Sequence, residues 1–284
     1  MKLVTFSTAG GPLRPGALLE HDNQEHDNQV VDLSAAGHAD ALAAITTGVT
    51  NPDKSGAWST HRLSDVRLHA PLANPPRLFA IGLNYREHAI ESKMAFPKFP
   101  VVFFKLQTAI VGPGDPIVLP KNSSEPDYEA ELAFVIGKGG FRIPAASWRD
   151  HVYGYTIIND VSARDIQMST SQWSMAKSFP SFCPMGPAIV TADEIADPHN
   201  LAIGLSIDGE KLQNSTTSEL IFKIPELIEY LSSIAPLLPG DIVSTGTPSG
   251  VGMGRTPKRW LKPGENVTVT IEGLGSLTNP VVAE

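Results

Sequence analysis

Along the run YEAELAFVIG, Tyr128, Ala130, Leu132, Phe134 and Ile136 fall on one face of an extended chain and are all apolar. The opposite face begins with Glu129 and Glu131 and turns apolar at Ala133 and Val135. This pattern predicts a strand buried on both sides, with two carboxylates at one end. Short alternating or apolar runs recur from RLFAIGLN onwards, among them VVFFKL, DPIVLP, YTIIND, AIVTA, LAIGLSIDG, GDIVSTG and NVTVTIEG. Helical spacing is rarer. It marks short helices around 86–93 and 145–149, and most clearly IPELIEYLSSIAPL, with Pro225 near its start and Pro236 as its stop. Helices do not alternate with strands, so the expected class is α+β and mainly β, built on a β-barrel or rolled sheets rather than a doubly wound sheet.

Residues 1–70 read as a small mixed α+β unit: strand-like LVTF, a Gly/Pro turn, LLEHD, VVDLS and a short helix around 39–45. Within it EHDNQ occurs twice in tandem, at Glu20–Gln24 and Glu25–Gln29, and reads as a duplicated hairpin tip. Pro71, Pro75 and Pro76 mark the junction to a catalytic domain over 71–284.

Composition narrows the function. With 42% hydrophobic residues in 284 the core is ample, and a net charge of −8 without a basic run argues against nucleic-acid or anionic-membrane partners. The one cysteine, Cys183, excludes an internal disulfide and suits a reducing cytosol, and its setting SFCPMGP reads as a packed loop. No apolar run reaches the ~18 residues of a membrane span, and MKLVTFSTAGGPLRPG reads as strand and turn rather than a secretory signal. A cytoplasmic protein is expected.

Side chains two apart on a strand share a face, with Cα atoms roughly 6.5–7 Å apart. Two carboxylates ~5 Å apart repel by roughly 3 kcal/mol at an effective dielectric near 20, before any desolvation cost. A hard divalent cation would offset that. A third carboxylate is available at Asp160, which ends VYGYTIIND, or at Asp127, which shares the face of Glu129 and Glu131; spacing does not choose between them. Carboxylates without a nearby His or Cys favour Mg²⁺, Mn²⁺ or Ca²⁺. His88 and Glu91, at i and i+3, would share a helix side, where the carboxylate orients the imidazole as a general base. Lys105 ends an apolar strand and could pair with a substrate carboxylate; Lys177 sits in an aromatic and proline-rich loop from which it could project into a cleft. The stretch GDIVSTGTPSGVGMG lacks a nucleotide-loop pattern, but its glycine-rich turn could aim N–H groups at a carboxylate or oxyanion, with Thr247 adding a hydroxyl.

NYREH at 84–88, FFK at 103–105, YEAELA at 128–133, IINDVSARDIQ, AKSF, PGDIVSTGTPSGVG and NVTVTIEGLG occur in this order. Together they resemble the fumarylacetoacetate hydrolase family from about Arg77 to the end. The resemblance implies a mixed β-roll or barrel-like catalytic domain, usually dimeric, with residues 1–70 as a variable N-terminal domain. It implies Glu129, Glu131 and Asp160 as the metal ligands, Mg²⁺ or Mn²⁺ as the ion, and His88 with Glu91 as a water-activating dyad on a lid segment. Lys177 becomes an electrophilic partner of the substrate; Arg164, Gln167 and Thr247 line the substrate site, with Lys105 near it. The tail is similar to members acting on small diketo acids or acylpyruvates, and QMSTSQWSMAKSFPSFCPMGP to members cleaving 2,4-diketo-3-deoxy sugar acids. The leading expectation is therefore hydrolytic C–C cleavage of a small β-diketo acid such as an acylpyruvate or fumarylpyruvate. The alternative is an oxaloacetate-type decarboxylase or keto–enol tautomerase using the same centre.

Overall fold

The computed structural model describes residues 1–19, 28–52 and 58–284. Most of the EHDNQ repeat, residues 20–27, lies outside the described residues. Among the described residues the backbone of the molecule is a sheet of twelve strands, ten in one path, with Val66–His69 paired to Lys2–Thr8 and Ile110–Val111 to Cys183–Thr191 off it. Its hydrogen-bonded order runs Thr60–Arg62, Gln29–Asp32, Arg14–Leu19, Lys2–Thr8, Cys183–Thr191, Val152–Asn159, Ala130–Ile136, Ile242–Ser244, Leu78–Gly82 and Val101–Phe104. A second sheet of five strands contains Glu210–Thr216, Ala202–Ile207, Asn266–Ile271, Gly275–Ala283 and Ile117–Leu119. The fold is mainly β, and among the described residues the sheets form no closed barrel.

The alternation of the 128–136 run is realised side by side. Tyr128, Ala130, Leu132, Phe134 and Ile136 enter one core with Ile203, Leu205, Val267, Val269 and Leu277 of the second sheet. Ala133 and Val135 enter another, with Ile158, Ile189 and the Ala41, Ala44 and Ile45 face of helix Ala41–Thr47. Strand Ala130–Ile136 is buried throughout because both its faces are covered, each large apolar side chain contributing roughly 1.5–3 kcal/mol.

The N-terminal strands extend the same sheet: Lys2 pairs with Val190 and Leu3 with Ile189. Helix Ile224–Ile234 forms where expected and buries Ile224, Leu227, Ile228 and Leu231. The Glu226 carboxylate accepts from the Lys223 N–H at its start, 2.8 Å. One segment differs from expectation. SFCPMGP is not a loop but opens strand Cys183–Thr191, which pairs in parallel with Ile110–Val111. Its prolines hide a strand from sequence reading because they withhold ladder donors. Cys183 is fully buried, and burial pushes its thiol up to about 12, so it is inert as a nucleophile at neutral pH. None of the described helices is long and apolar enough to cross a membrane.

Candidate metal and oxo-acid centre

Strand register assembles the centre. Ala130–Ile136 and Val152–Asn159 are antiparallel with Ala130 opposite Asn159, so Glu129 and Asp160 meet just beyond the paired ends. The Asp160 N–H donates to the Glu129 carbonyl, 2.9 Å, and the Glu129 N–H to the Asn159 side chain, 3.1 Å. Glu131 lies two residues on, on the same face as Glu129. Carboxylate oxygens of Glu129, Glu131 and Asp160 all lie within 4.8 Å of one another, and all three residues are buried. Asp127 lies outside this group, its oxygens turned to other partners. They accept from the Tyr128, Gly252 and Met253 N–H groups and from Arg164 Nε.

Three buried cations face these four carboxylates, so the cluster carries one net negative charge only when all four are ionised. Lys177 Nζ donates to Glu129 and to Asp160, each at 2.6 Å. Lys105 Nζ donates to the other oxygen of Asp160, 2.5 Å, and to the Lys177 carbonyl. Arg164, at the start of the short helix Arg164–Gln167, reaches Asp127 through Nε, Gln167 through one terminal nitrogen and Glu129 through the other, 2.6 Å. Every arm of the guanidinium is therefore occupied by protein.

Titration directions follow from this wiring. Burial raises the Glu129 pKa, but Lys177 and Arg164 outweigh it and hold the carboxylate ionised. Glu131 goes the other way: burial, then the charges of Asp160 and Glu129, raise its pKa well above the usual carboxylate range. Burial alone would lower the Lys177 pKa, yet Asp160 and Glu129 raise it on balance, so its ammonium stays a donor. A group of carboxylates that can carry three charges only at such cost is chemically suited to a hard divalent cation, and the all-oxygen donor set fits Mg²⁺ or Mn²⁺. The protein alone provides Glu131 with the Ser244 hydroxyl, 2.5 Å, and the Gly246 N–H, 3.0 Å.

The glycine-rich stretch after Ile242–Ser244 aims its N–H groups at carboxylates, as one of the two expectations had it, but at those of the protein itself. Its N–H groups hold protein carboxylates: Gly246 serves Glu131, Gly250 serves Glu91, and Gly252 and Met253 serve Asp127. Gly246 has φ +98°, and a Cβ there would come within 2.9 Å of the Ile81 carbonyl, so no other residue passes this point without strain.

A cavity of about 140 Å³ opens over the centre. Its polar lining includes His88, Glu129, Glu131, Arg164, Gln167, Lys177 and Thr247, and its apolar lining Ile81, Met94, Phe103, Met168, Trp173 and Met253. The residues expected at the site thus converge, with three outside the cavity lining: Asp160, which meets Glu129 and Glu131 in the carboxylate group beneath it, Lys105 and Glu91. Lys105 does not reach the cavity and instead fixes Asp160 from behind. Glu91 lies behind His88, its carboxylate 3.5 Å from Nδ1, and is held by the Gly250 N–H. His88 Nδ1 is buried without a hydrogen-bond partner.

Sequence reading missed the supports. Gln213 accepts from the Ala130 N–H and donates to the Thr247 hydroxyl and the Pro248 carbonyl. Asn84 ties Phe222 to Thr245. Nothing in local spacing marks either residue.

Comparison with known proteins decides the family. The profile described as "Fumarylacetoacetate (FAA) hydrolase C-terminal" matches residues 77–282. The chain belongs to the fumarylacetoacetate hydrolase family. It is 42% identical over 288 residues to a mitochondrial oxaloacetate tautomerase of Xenopus laevis, covering 99% of this chain and 90% of that one. A fumarylacetoacetate hydrolase domain-containing protein 2 homolog of Dictyostelium discoideum is 47% identical, covering 99% and 97%. Among solved structures, a fumarylacetoacetate hydrolase from Exiguobacterium antarcticum superposes with a TM-score of 0.88 at 35% identity, covering all of both chains. A 5-carboxymethyl-2-hydroxymuconate delta-isomerase from Mycobacterium smegmatis does so with 0.83 at 36%, also covering all of both chains. Enzymes named for hydrolysis, isomerisation and tautomerisation thus share this fold.

Proposed function

We propose that the chain catalyses keto–enol interconversion of a small 2-oxo acid of the oxaloacetate type, at a divalent-cation centre made by Glu129, Glu131 and Asp160. The observation that carries this is the placement of His88 beside Lys177 and the carboxylate group on one small cavity. Two groups able to handle a proton and its charge therefore face the same few atoms. Relatives named oxaloacetate tautomerase, at 42–48% identity, support the same reading.

When bound, a divalent cation would acidify the carbon next to the keto group by drawing charge onto the oxygens it holds. His88 takes the proton from that carbon and returns it to the oxygen, one proton leaving carbon and one arriving on oxygen. Glu91 stabilises the imidazolium formed between the two steps. Lys177, kept protonated by Glu129 and Asp160, donates to the enolate oxygen. Arg164, neutralised by Asp127 and Glu129, holds Gln167 against the acid end, and Thr247 closes the opposite side. A chemistry confined to proton transfer needs no free oxyanion donors in the glycine-rich stretch, consistent with their engagement by protein carboxylates.

A second reading, hydrolytic C–C cleavage of a β-diketo acid, is favoured by the pairing of His88 with Glu91, which would suit deprotonation of water. The same reading of the family carries a homodimer, measurable by sedimentation. The deciding assay follows decay of the oxaloacetate enol beside cleavage of acetylpyruvate, with Mg²⁺ present. Accelerated enol–keto exchange, abolished in His88→Ala and without cleavage, supports the proposal. Cleavage of acetylpyruvate with no effect on enol decay overturns it.

A further inference from the structure

We propose that Trp173 sets how long an acid the cavity admits, acting as a wedge seated on the backbone of Gly82. Gly82 ends strand Leu78–Gly82 and lines the cavity with Trp173. A Cβ at Gly82 would stand 2.3 Å from Trp173 Cζ3 and 3.2 Å from Cε3 and Cη2. The backbone at Gly82 lies outside the left-handed region, so its own conformation does not demand glycine; the indole does. The indole also meets Phe103 edge-on, centroids 5.7 Å apart, and the Phe103 ring in turn lies 5.1 Å from the Lys177 ammonium. A continuous wall therefore runs from Trp173 through Phe103 to the polar end of the cavity.

The segment carrying Trp173 is otherwise surface. Met168 and Met175 are 71% and 70% exposed, and the residues between them are exposed except for the half-buried Trp173 and Ser174. Ser174 accepts from the Phe104 N–H, 3.2 Å, which ties the segment to strand Val101–Phe104. In a cavity of about 140 Å³ an indole is a large share of the boundary, and its removal lengthens the apolar end without touching the carboxylates. No cation among the described lining residues is without a carboxylate partner, so the lengthened end would take an apolar chain rather than a second charge.

This inference rests on the reading that a 2-oxo acid binds at the carboxylate centre, and the test separates the two. Oxamate, a pyruvate mimic, and its N-butyl and N-hexyl derivatives are titrated into the full-length Mg²⁺-loaded protein, with no turnover required. In wild type, affinity falls as the alkyl chain lengthens. In Trp173→Ala the ratio of N-hexyl to unsubstituted affinity rises at least about tenfold, and in Trp173→Phe by less. Gly82→Ala, which displaces the indole, changes the ratio in the wild-type background and leaves it unaltered in the Trp173→Ala background. Equal loss of affinity for all three probes, or a Gly82→Ala effect of the same size in both backgrounds, makes Trp173 a structural residue only. Failure of oxamate itself to bind the loaded wild type removes the functional reading and this inference with it.

Discussion

Asp127 and Glu131 are equally buried acids four residues apart on one run of chain, yet their surroundings are opposite. Asp127 is ringed by three backbone N–H donors and one arm of Arg164, and every charge on it is met by protein. Glu131 receives one hydroxyl and one N–H and faces two like charges. The first environment makes a latch that pins the glycine-rich stretch to the strand entry. The second leaves a carboxylate that folding alone under-compensates, as suits a candidate cation ligand. Burial of a carboxylate therefore says little about its role; the count and sign of its partners says more.

The largest effect distinguishing the two should come from Asp127→Ala. It orphans the Gly252 and Met253 N–H groups and one face of the buried Arg164, and should cost roughly 3–5 kcal/mol in urea unfolding, with or without Mg²⁺. Glu131→Gln should do the reverse. It relieves repulsion, leaving metal-free stability unchanged or higher, while Mg²⁺ affinity by calorimetry falls at least about 100-fold. A Glu131→Gln protein that unfolds as readily as Asp127→Ala would erase the distinction.

Proton linkage sharpens it further. The folded-state pKa of Glu131 lies above the value of 4.5 it has when unfolded, so its contribution is present below that pH and is lost as pH rises through the folded value. Glu129 is depressed, so its contribution is present above 4.5 and lost as pH falls through its folded value. Metal-free protein should therefore lose stability above about pH 4.5, by at most ~1.4 kcal/mol per pH unit, a loss that Glu131→Gln removes. Cation affinity should rise over the same interval, because binding displaces the Glu131 proton. The smallest effect is expected at Gln213→Leu, which frees the Thr247 hydroxyl and the Ala130 N–H. It should cost about 1–3 kcal/mol of stability and raise KM more than it lowers kcat.

Much of this contrast is legible in the amino-acid pattern alone. Alternation through Tyr128–Ile136 locates the doubly covered strand, and the two polar positions at its entry locate the centre. Spacing cannot separate Asp127 from Asp160, because the distinction lies in contacts made by Gly252, Met253 and Lys105, distant in sequence. The family resemblance names Asp160 where local pattern is silent. Lys105 reads as a substrate cation because strand-end position does not reveal that its ammonium turns back onto Asp160. Gln213, Asn84 and the seat of Trp173 on Gly82 are invisible for the same reason: each joins residues from distant segments, 83 positions apart for Gln213 with Ala130 and 161 for Asn84 with Thr245. The prolines of the Cys183 strand mask its pairing. Hydrolysis is the leading expectation from the motifs, yet the tautomerase alternative is the better supported, since relatives so named align over most of the chain.

The central claim is that Glu129, Glu131 and Asp160 share one divalent cation. Anomalous scattering from crystals grown with Mn²⁺ and oxalate tests it most directly. The account predicts a single strong peak among those three carboxylates, with oxalate on its open side and Asp127 still closed on Gly252 and Met253. A map with no peak there, and Lys177 still bridging Glu129 to Asp160, would contradict it.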